Sequence, residues 1–230
     1  MADPNIELLT RVAEALGNLR DRFVFVGGCA TALLFTDPAA PPARATHDVD
    51  VVAAVVSLAD YHRLGGLLRD RGFTQTLEEG EPPYRWTYAG MKLDVMPSSE
   101  VVFGFSNRWY EAAMRSAIEI ELRKGLSIRV ITSVYFVATK LEAFDDRGQG
   151  DYLMSHDLED ILSVVDGRPE LVQEFTQADP EVRDYVAGVL ARLISKEEFL
   201  NALPGLIVEG SPATRSPLVL QRLKTIANAR

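Results

Sequence analysis

Apolar residues recur at helical spacing over 4–19, where Ile6, Leu8, Leu9, Val12, Leu16 and Leu19 fall together and charged residues fill the gaps. This pattern predicts an amphipathic helix. Phe23-Val24-Phe25-Val26 is a short unbroken apolar run of β-type residues that stops at Gly27-Gly28. Residues 29–35 are helical in character again, giving the order strand, Gly-Gly, helix. The three prolines in 37–43 cannot continue that helix and predict a loop. Next come a buried strand at 49–56, a helix over 58–71 ended by Gly72, and a polar turn at 78–83. Residues 84–89 and 91–96 read as two strands joined tightly at Gly90, a hairpin. Residues 109–122 fit either a helix or a helix passing into a strand, and 127–131 is the last expected strand. From 133 on the periodicity is helical only, over 134–144, 157–165, 169–176, 180–193, 196–203 and 217–229. Gly148, Gly150, Gly167, Pro204 and Gly205 mark the joins.

This order divides the chain into a mixed α/β part, 1–132, and an all-helical part, 133–230, expected to contribute to the same functional site. The fold class is α+β: a mixed sheet with flanking helices, followed by helices alone. Length and composition agree with a globular protein, with 47% hydrophobic and 25% charged residues among 230. A formal charge of −9 argues against broad non-specific nucleic-acid binding and leaves room for a local basic groove. The single cysteine, Cys29, excludes an intramolecular disulfide and fits a reducing cytosol. The N-terminus has no basic segment followed by an apolar one, and no apolar stretch is long enough to span a bilayer. A cytoplasmic protein with no membrane partner is expected.

The chemistry gathers at Asp48-Val49-Asp50. Successive strand side chains alternate between faces, so Asp48 and Asp50 share one face while Val49 points to the other. Two neighbouring anions resist joint ionisation, and a hard divalent cation, Mg²⁺ most naturally, resolves the conflict. Asp94, inside the apolar run Leu93-Asp94-Val95, is costly to bury unless it is paired or ligates metal. Gly27 and Gly28, before a helix start, allow close backbone approach to an anion. Together these residues suit a metal-bound nucleoside triphosphate: glycine N–H groups for phosphate oxygens, and Asp48, Asp50 and Asp94 for metal ligation, with one carboxylate suited to general-base work. One or two metal ions both fit. His62 and His156 have no partners at zinc-ligand spacing, and no P-loop, dinucleotide fingerprint or Gly-x-Ser-x-Gly is present.

The run Val26-Gly27-Gly28-Cys29-Ala30-Thr31-Ala32, with Arg44-x-Thr46-x-Asp48-Val49-Asp50 after it, resembles the polymerase-β-type nucleotidyltransferase superfamily. Within it the chain is most similar to the AbiEii/AbiGii-type nucleotidyltransferases of bacterial toxin–antitoxin systems. Their signature adds a later lysine and a later aspartate in the helical part, positions that Lys140 and Asp157 match. The resemblance covers about 21–166; the proline-rich insert at 37–42 lengthens the gap between the glycines and the aspartates. It implies a polymerase-β-like fold and transfer of a nucleoside monophosphate from a triphosphate to an acceptor hydroxyl, with Mg²⁺. By analogy the acceptor is RNA, notably tRNA, or protein, and a cognate antitoxin is an implied partner. Lys140 would contact triphosphate oxygens, and Arg44 would approach phosphate from the loop. Asp157 would orient Lys140 or touch the nucleotide, with helix capping as a competing role. Two other readings stand beside this one. The acceptor is a small hydroxylated molecule, as in aminoglycoside nucleotidyltransferases, or the fold serves as a non-catalytic antitoxin or binding module.

Overall fold

The computed structural model describes residues 3–75, 80–147, 151–207 and 212–229. Residues 78 and 79 of the expected polar turn, and Gly148 and Gly150, lie outside them. The chain divides into two units, residues 1–30 with 45–132, and residues 31–44 with 133–230.

The first unit contains α1 (Pro4–Leu16), β1 (Phe23–Val26), β2 (Asp48–Ala53), α2 (Leu58–Asp70), β3 (Arg85–Tyr88), β4 (Met91–Pro97), α3 (Tyr110–Ser116), β5 (Ile118–Arg123) and β6 (Leu126–Val130). The strands form one mixed sheet in the order β3-β4-β2-β1-β6-β5. β2 runs parallel to β4, and β1 parallel to β6; the other neighbours are antiparallel. β1 is buried at all four positions, which is why it reads as a continuous apolar run rather than an alternating one. Residues 109–122 resolve into α3 followed by β5.

Local sequence explains the element ends. The Asp3 carboxylate accepts from the N–H groups of Asn5 (2.8 Å) and Ile6 (3.4 Å), and Pro4 occupies the first turn of α1. Ser57 caps α2 by accepting from the Asp60 N–H at 3.1 Å. Ala89 and Gly90 both have positive φ (47° and 79°) between paired Tyr88 and Met91, the two-residue connection whose twist suits a hairpin. The hairpin is fastened to α2 by Trp86, whose indole N–H donates to the Tyr61 hydroxyl at 3.3 Å; that hydroxyl donates in turn to the Val95 carbonyl at 3.4 Å. Gly65 lets the indole close on the helix, since a Cβ there would lie 3.0 Å from the ring.

The second unit comprises α4 (Ser133–Arg147), α5 (His156–Gly167), α6 (Leu171–Gln177), α7 (Pro180–Ile194), α8 (Glu197–Leu206) and α9 (Pro212–Ala227). Its core includes Phe136, Leu141, Ile161, Val165, Phe175, Val186 and Leu223. Two expected boundaries move: α8 runs through Pro204, and α9 starts before Pro217 and continues through it. The proline-rich insert belongs to this unit. The N–H groups of Thr36 and Asp37 donate to the Gly167 carbonyl at 2.9 and 3.0 Å. Arg168 donates to the Leu34 carbonyl at 2.9 Å. No helix among the described residues is long and apolar enough to cross a membrane.

Trp86 is 1% exposed, so its truncation leaves a cavity and removes the donor to the Tyr61 hydroxyl. Trp86→Ala is expected to lower stability by about 3–5 kcal/mol. Chemical denaturation measures this, and a loss below about 1 kcal/mol would show that the α2 face does not depend on the indole.

Candidate active site

The parallel register of β2 and β4 sets Asp50 directly beside Asp94, and Asp48 beside Lys92. Alternation along each strand then brings the Asp48, Asp50 and Asp94 side chains to one face, as the sequence pattern requires. Their environments differ. The Asp94 side chain is 6% exposed, whereas that of Asp48 is 39% exposed.

A residue absent from the sequence reading completes the arrangement. Arg85 lies opposite Asp94 in the β3–β4 hairpin. Its Nε donates to Asp94 Oδ1 at 2.8 Å and its Nη2 to Asp94 Oδ2 at 2.7 Å, a two-pronged guanidinium–carboxylate pair. Nη2 also reaches Asp48 Oδ2 at 3.4 Å, and Nη1 reaches Glu81 Oε2 at 3.4 Å. The pair satisfies the buried Asp94 carboxylate, which would otherwise be strongly unfavourable. The hydrogen bonds from Arg85 to Asp94, reinforced by the charges of Asp94, Asp48 and Glu81 against partial burial, push the guanidinium pKa further up. The signal for this pair was present in the sequence: Arg85 and Asp94 lie at equal distances on either side of the Ala89-Gly90 turn.

Gly27 follows the β1 residue paired with Asp50 and has φ +71°. A Cβ at Gly27 would lie 2.0 Å from Asp50 Oδ2, so the missing side chain is the space the Asp50 carboxylate occupies. Gly28 is buried and opens a seven-residue 3₁₀ segment, Gly28–Leu34, rather than an α-helix. Beside it, Cys29 is fully buried and its thiol donates to the Asn5 carbonyl at 3.4 Å. Burial pushes the thiol pKa up to about 12; a hydrogen bond with Thr46 opposes the shift, and the charges of Asp50, Asp48 and Asp3 add to it. Asn5 Oδ1 in turn accepts from the Thr46 N–H at 3.0 Å, fixing the approach to β2.

The remaining sequence-derived candidates lie in the second unit and form their own network. Lys140 Nζ donates to Asp157 Oδ1 at 3.0 Å and pairs with Asp160 Oδ2 at 2.8 Å. Arg44 grips the same Asp160 with two bonds of 3.1 Å, from Nε and Nη2. Asp160, 1% exposed, thus has a cation on each oxygen. The cap of α5 is Ser155, which accepts from the Leu158 N–H at 3.3 Å. Asp157 therefore holds Lys140 and does not supply the cap. Asp160 was missed in the sequence, although it lies three residues after Asp157 on the same helix.

Three carboxylates on one face form a donor set of the kind Mg²⁺ prefers. Among the described residues no three acidic, histidine or cysteine side chains converge to metal-holding distance. The Arg85 guanidinium pairs with both Asp48 and Asp94. The donor chemistry fits the ion, and its closure requires the carboxylates to adjust.

Neither a family-profile scan nor a comparison with curated proteins gives a match. Solved structures do match. One is the crystal structure of an antigenic nucleotidyltransferase-like protein from Paracoccidioides brasiliensis, 22% identical, with 89% of this chain and 93% of that chain covered and a TM-score of 0.50. Another is the solution structure of the antibiotic-resistance factor ANT(2'')-Ia, 14% identical over 85% of this chain and 96% of that chain, with a TM-score of 0.49. The first likeness establishes a nucleotidyltransferase-like α+β fold; the second is too loose to bear on function.

The Cys29 environment gives a direct check on this packing. The native thiol is expected to resist alkylation even at mildly alkaline pH and to react fully on denaturation. Rapid modification of the folded protein would contradict the buried, thiol-donating arrangement.

Proposed function

We propose that this protein is a metal-dependent nucleotidyltransferase that moves a nucleoside monophosphate from a triphosphate to an acceptor hydroxyl. The observation supporting the reading most strongly is the set of three carboxylates, Asp48, Asp50 and Asp94, on one face of adjoining strands. That set stands within a nucleotidyltransferase-like fold. In the reaction the acceptor oxygen attacks the α-phosphorus, the bond from that phosphorus to the bridging oxygen breaks, and pyrophosphate departs. Mg²⁺, bound by Asp48 and Asp50, would neutralise charge on the triphosphate and on the leaving group. Asp94 either shares in holding the ion or takes the proton from the attacking hydroxyl. Gly27 leaves room for the Asp50 carboxylate, and the Gly27-Gly28 backbone is assigned to the phosphates.

The resemblance assigns Lys140, Arg44 and Asp157 to the nucleotide, and within the second unit these side chains share one ion-pair network with Asp160. Lys140 already neutralises Asp157 and Asp160, so a phosphate bound by its ammonium would share it with them. The sequence resemblance supports an AbiEii-like toxin acting on RNA, particularly tRNA, or on protein, with a cognate antitoxin as partner. A second reading, a small cationic acceptor such as an aminoglycoside, is favoured by the net charge of −9, which repels a polyanion. Labelled triphosphates offered with total RNA, with protein and with an aminoglycoside panel separate these acceptors.

The double variant Asp48→Asn with Asp50→Asn is expected to reduce Mg²⁺-dependent pyrophosphate release to background while the protein stays folded by circular dichroism. Undiminished release in the folded double variant would overturn the assignment.

A further inference from the structure

The Arg85 guanidinium does more than satisfy one buried carboxylate. Asp94 alone needs the two short bonds from Nε and Nη2. Nη2 also spans to Asp48, on the strand beyond β4. The Asp48 side chain is 39% exposed, so burial does not require that contact. Arg85 therefore bridges the two strands that carry the proposed metal ligands and holds a positive charge against two of the three. A guanidinium never releases its proton at physiological pH, so pH cannot clear it. Only a competing cation or a competing anion can.

We propose that Arg85 is a built-in counter-cation that holds Asp94 and Asp48 in the unliganded protein and must be displaced before a divalent ion binds. The inference rests on the metal-dependent reading above and adds a regulation to it. Metal affinity is held low while the guanidinium stays on the carboxylates. A guanidinium leaving Asp94 and Asp48 needs a new acidic partner, and phosphate oxygens match its planar donor fork. Triphosphate and metal binding are then coupled: each favours the state in which Arg85 has left the carboxylates.

The test is a Mn²⁺ titration of the full chain without nucleotide, following unbound Mn²⁺ by electron paramagnetic resonance. Arg85→Gln is expected to bind Mn²⁺ at least about tenfold more tightly than the wild type, a coupling of ordinary size. Arg85→Lys, which keeps the charge but cannot bridge two carboxylates, is expected to gain less. Lys124→Gln removes the same charge at the β5–β6 turn on the opposite edge of the sheet, and is expected to match the wild type. Melting gives a second readout: Arg85→Gln should melt below the wild type without metal and recover with Mn²⁺. If Arg85→Gln does not fold, Arg85→Lys carries the test, and an affinity equal to the wild type overturns the proposal. Equal, measurable Mn²⁺ affinity in the wild type and Arg85→Gln overturns the counter-cation role and leaves the transferase reading standing. No Mn²⁺ binding by any variant overturns both.

Discussion

Like charges brought together on a sheet are the constraint on which this site depends. The β2–β4 register sets Asp50 beside Asp94, with Asp48 two residues away on the same face. Carboxylates so placed repel one another, and burying one of them adds a desolvation cost. The Arg85–Asp94 pair, with its reach to Asp48, offsets both effects. The pleat offers these side chains no other face, so their charge is met where they stand.

The surrounding structure serves this placement. A two-residue turn with positive φ at Ala89 and Gly90 sets the register that puts Arg85 opposite Asp94. Trp86, the next residue, points to the opposite face and bonds to Tyr61 of α2. The same four-residue strand therefore anchors the sheet on one side and neutralises acid on the other. Gly27 provides the matching relief at the end of β1: its missing Cβ is where the Asp50 carboxylate lies. In the second unit Asp160 has the converse role, a single buried acid gripped by Lys140 and Arg44.

Local patterns carried much of this into the sequence. The alternation in Asp48-Val49-Asp50 put two carboxylates on one face, and the isolated acid in Leu93-Asp94-Val95 marked a third. What escaped was pairing that the chain encodes only across distance. The parallel β2–β4 register depends on a crossover through α2, and no local signal sets which aspartate meets which. Arg85 is a different case: a hairpin joined at Gly90 gives the arginine no partner, and it is the two-residue Ala89-Gly90 turn that sets it opposite Asp94. For Asp157, capping competed with holding Lys140; it lies within α5 and holds Lys140, while Ser155 supplies the cap. Proline rules overreached at Pro204 and Pro217, which the helices carry within their length. The insert at 37–42 was legible as a loop, but not its attachment to the Gly167 carbonyl at the end of α5, well over a hundred residues away.

The central claim is that the acidic face is a cation site for nucleotidyl transfer, closed by Arg85 until ligand arrives. Its most direct measurement is a crystal structure with Mn²⁺ and a non-hydrolysable triphosphate, with data collected at the manganese absorption edge. The account predicts an anomalous peak held by Asp48 and Asp50, with Asp94 alongside and the Arg85 guanidinium moved off Asp94. A fully occupied triphosphate bound elsewhere, with no peak and the Arg85–Asp94 fork unchanged, would contradict it.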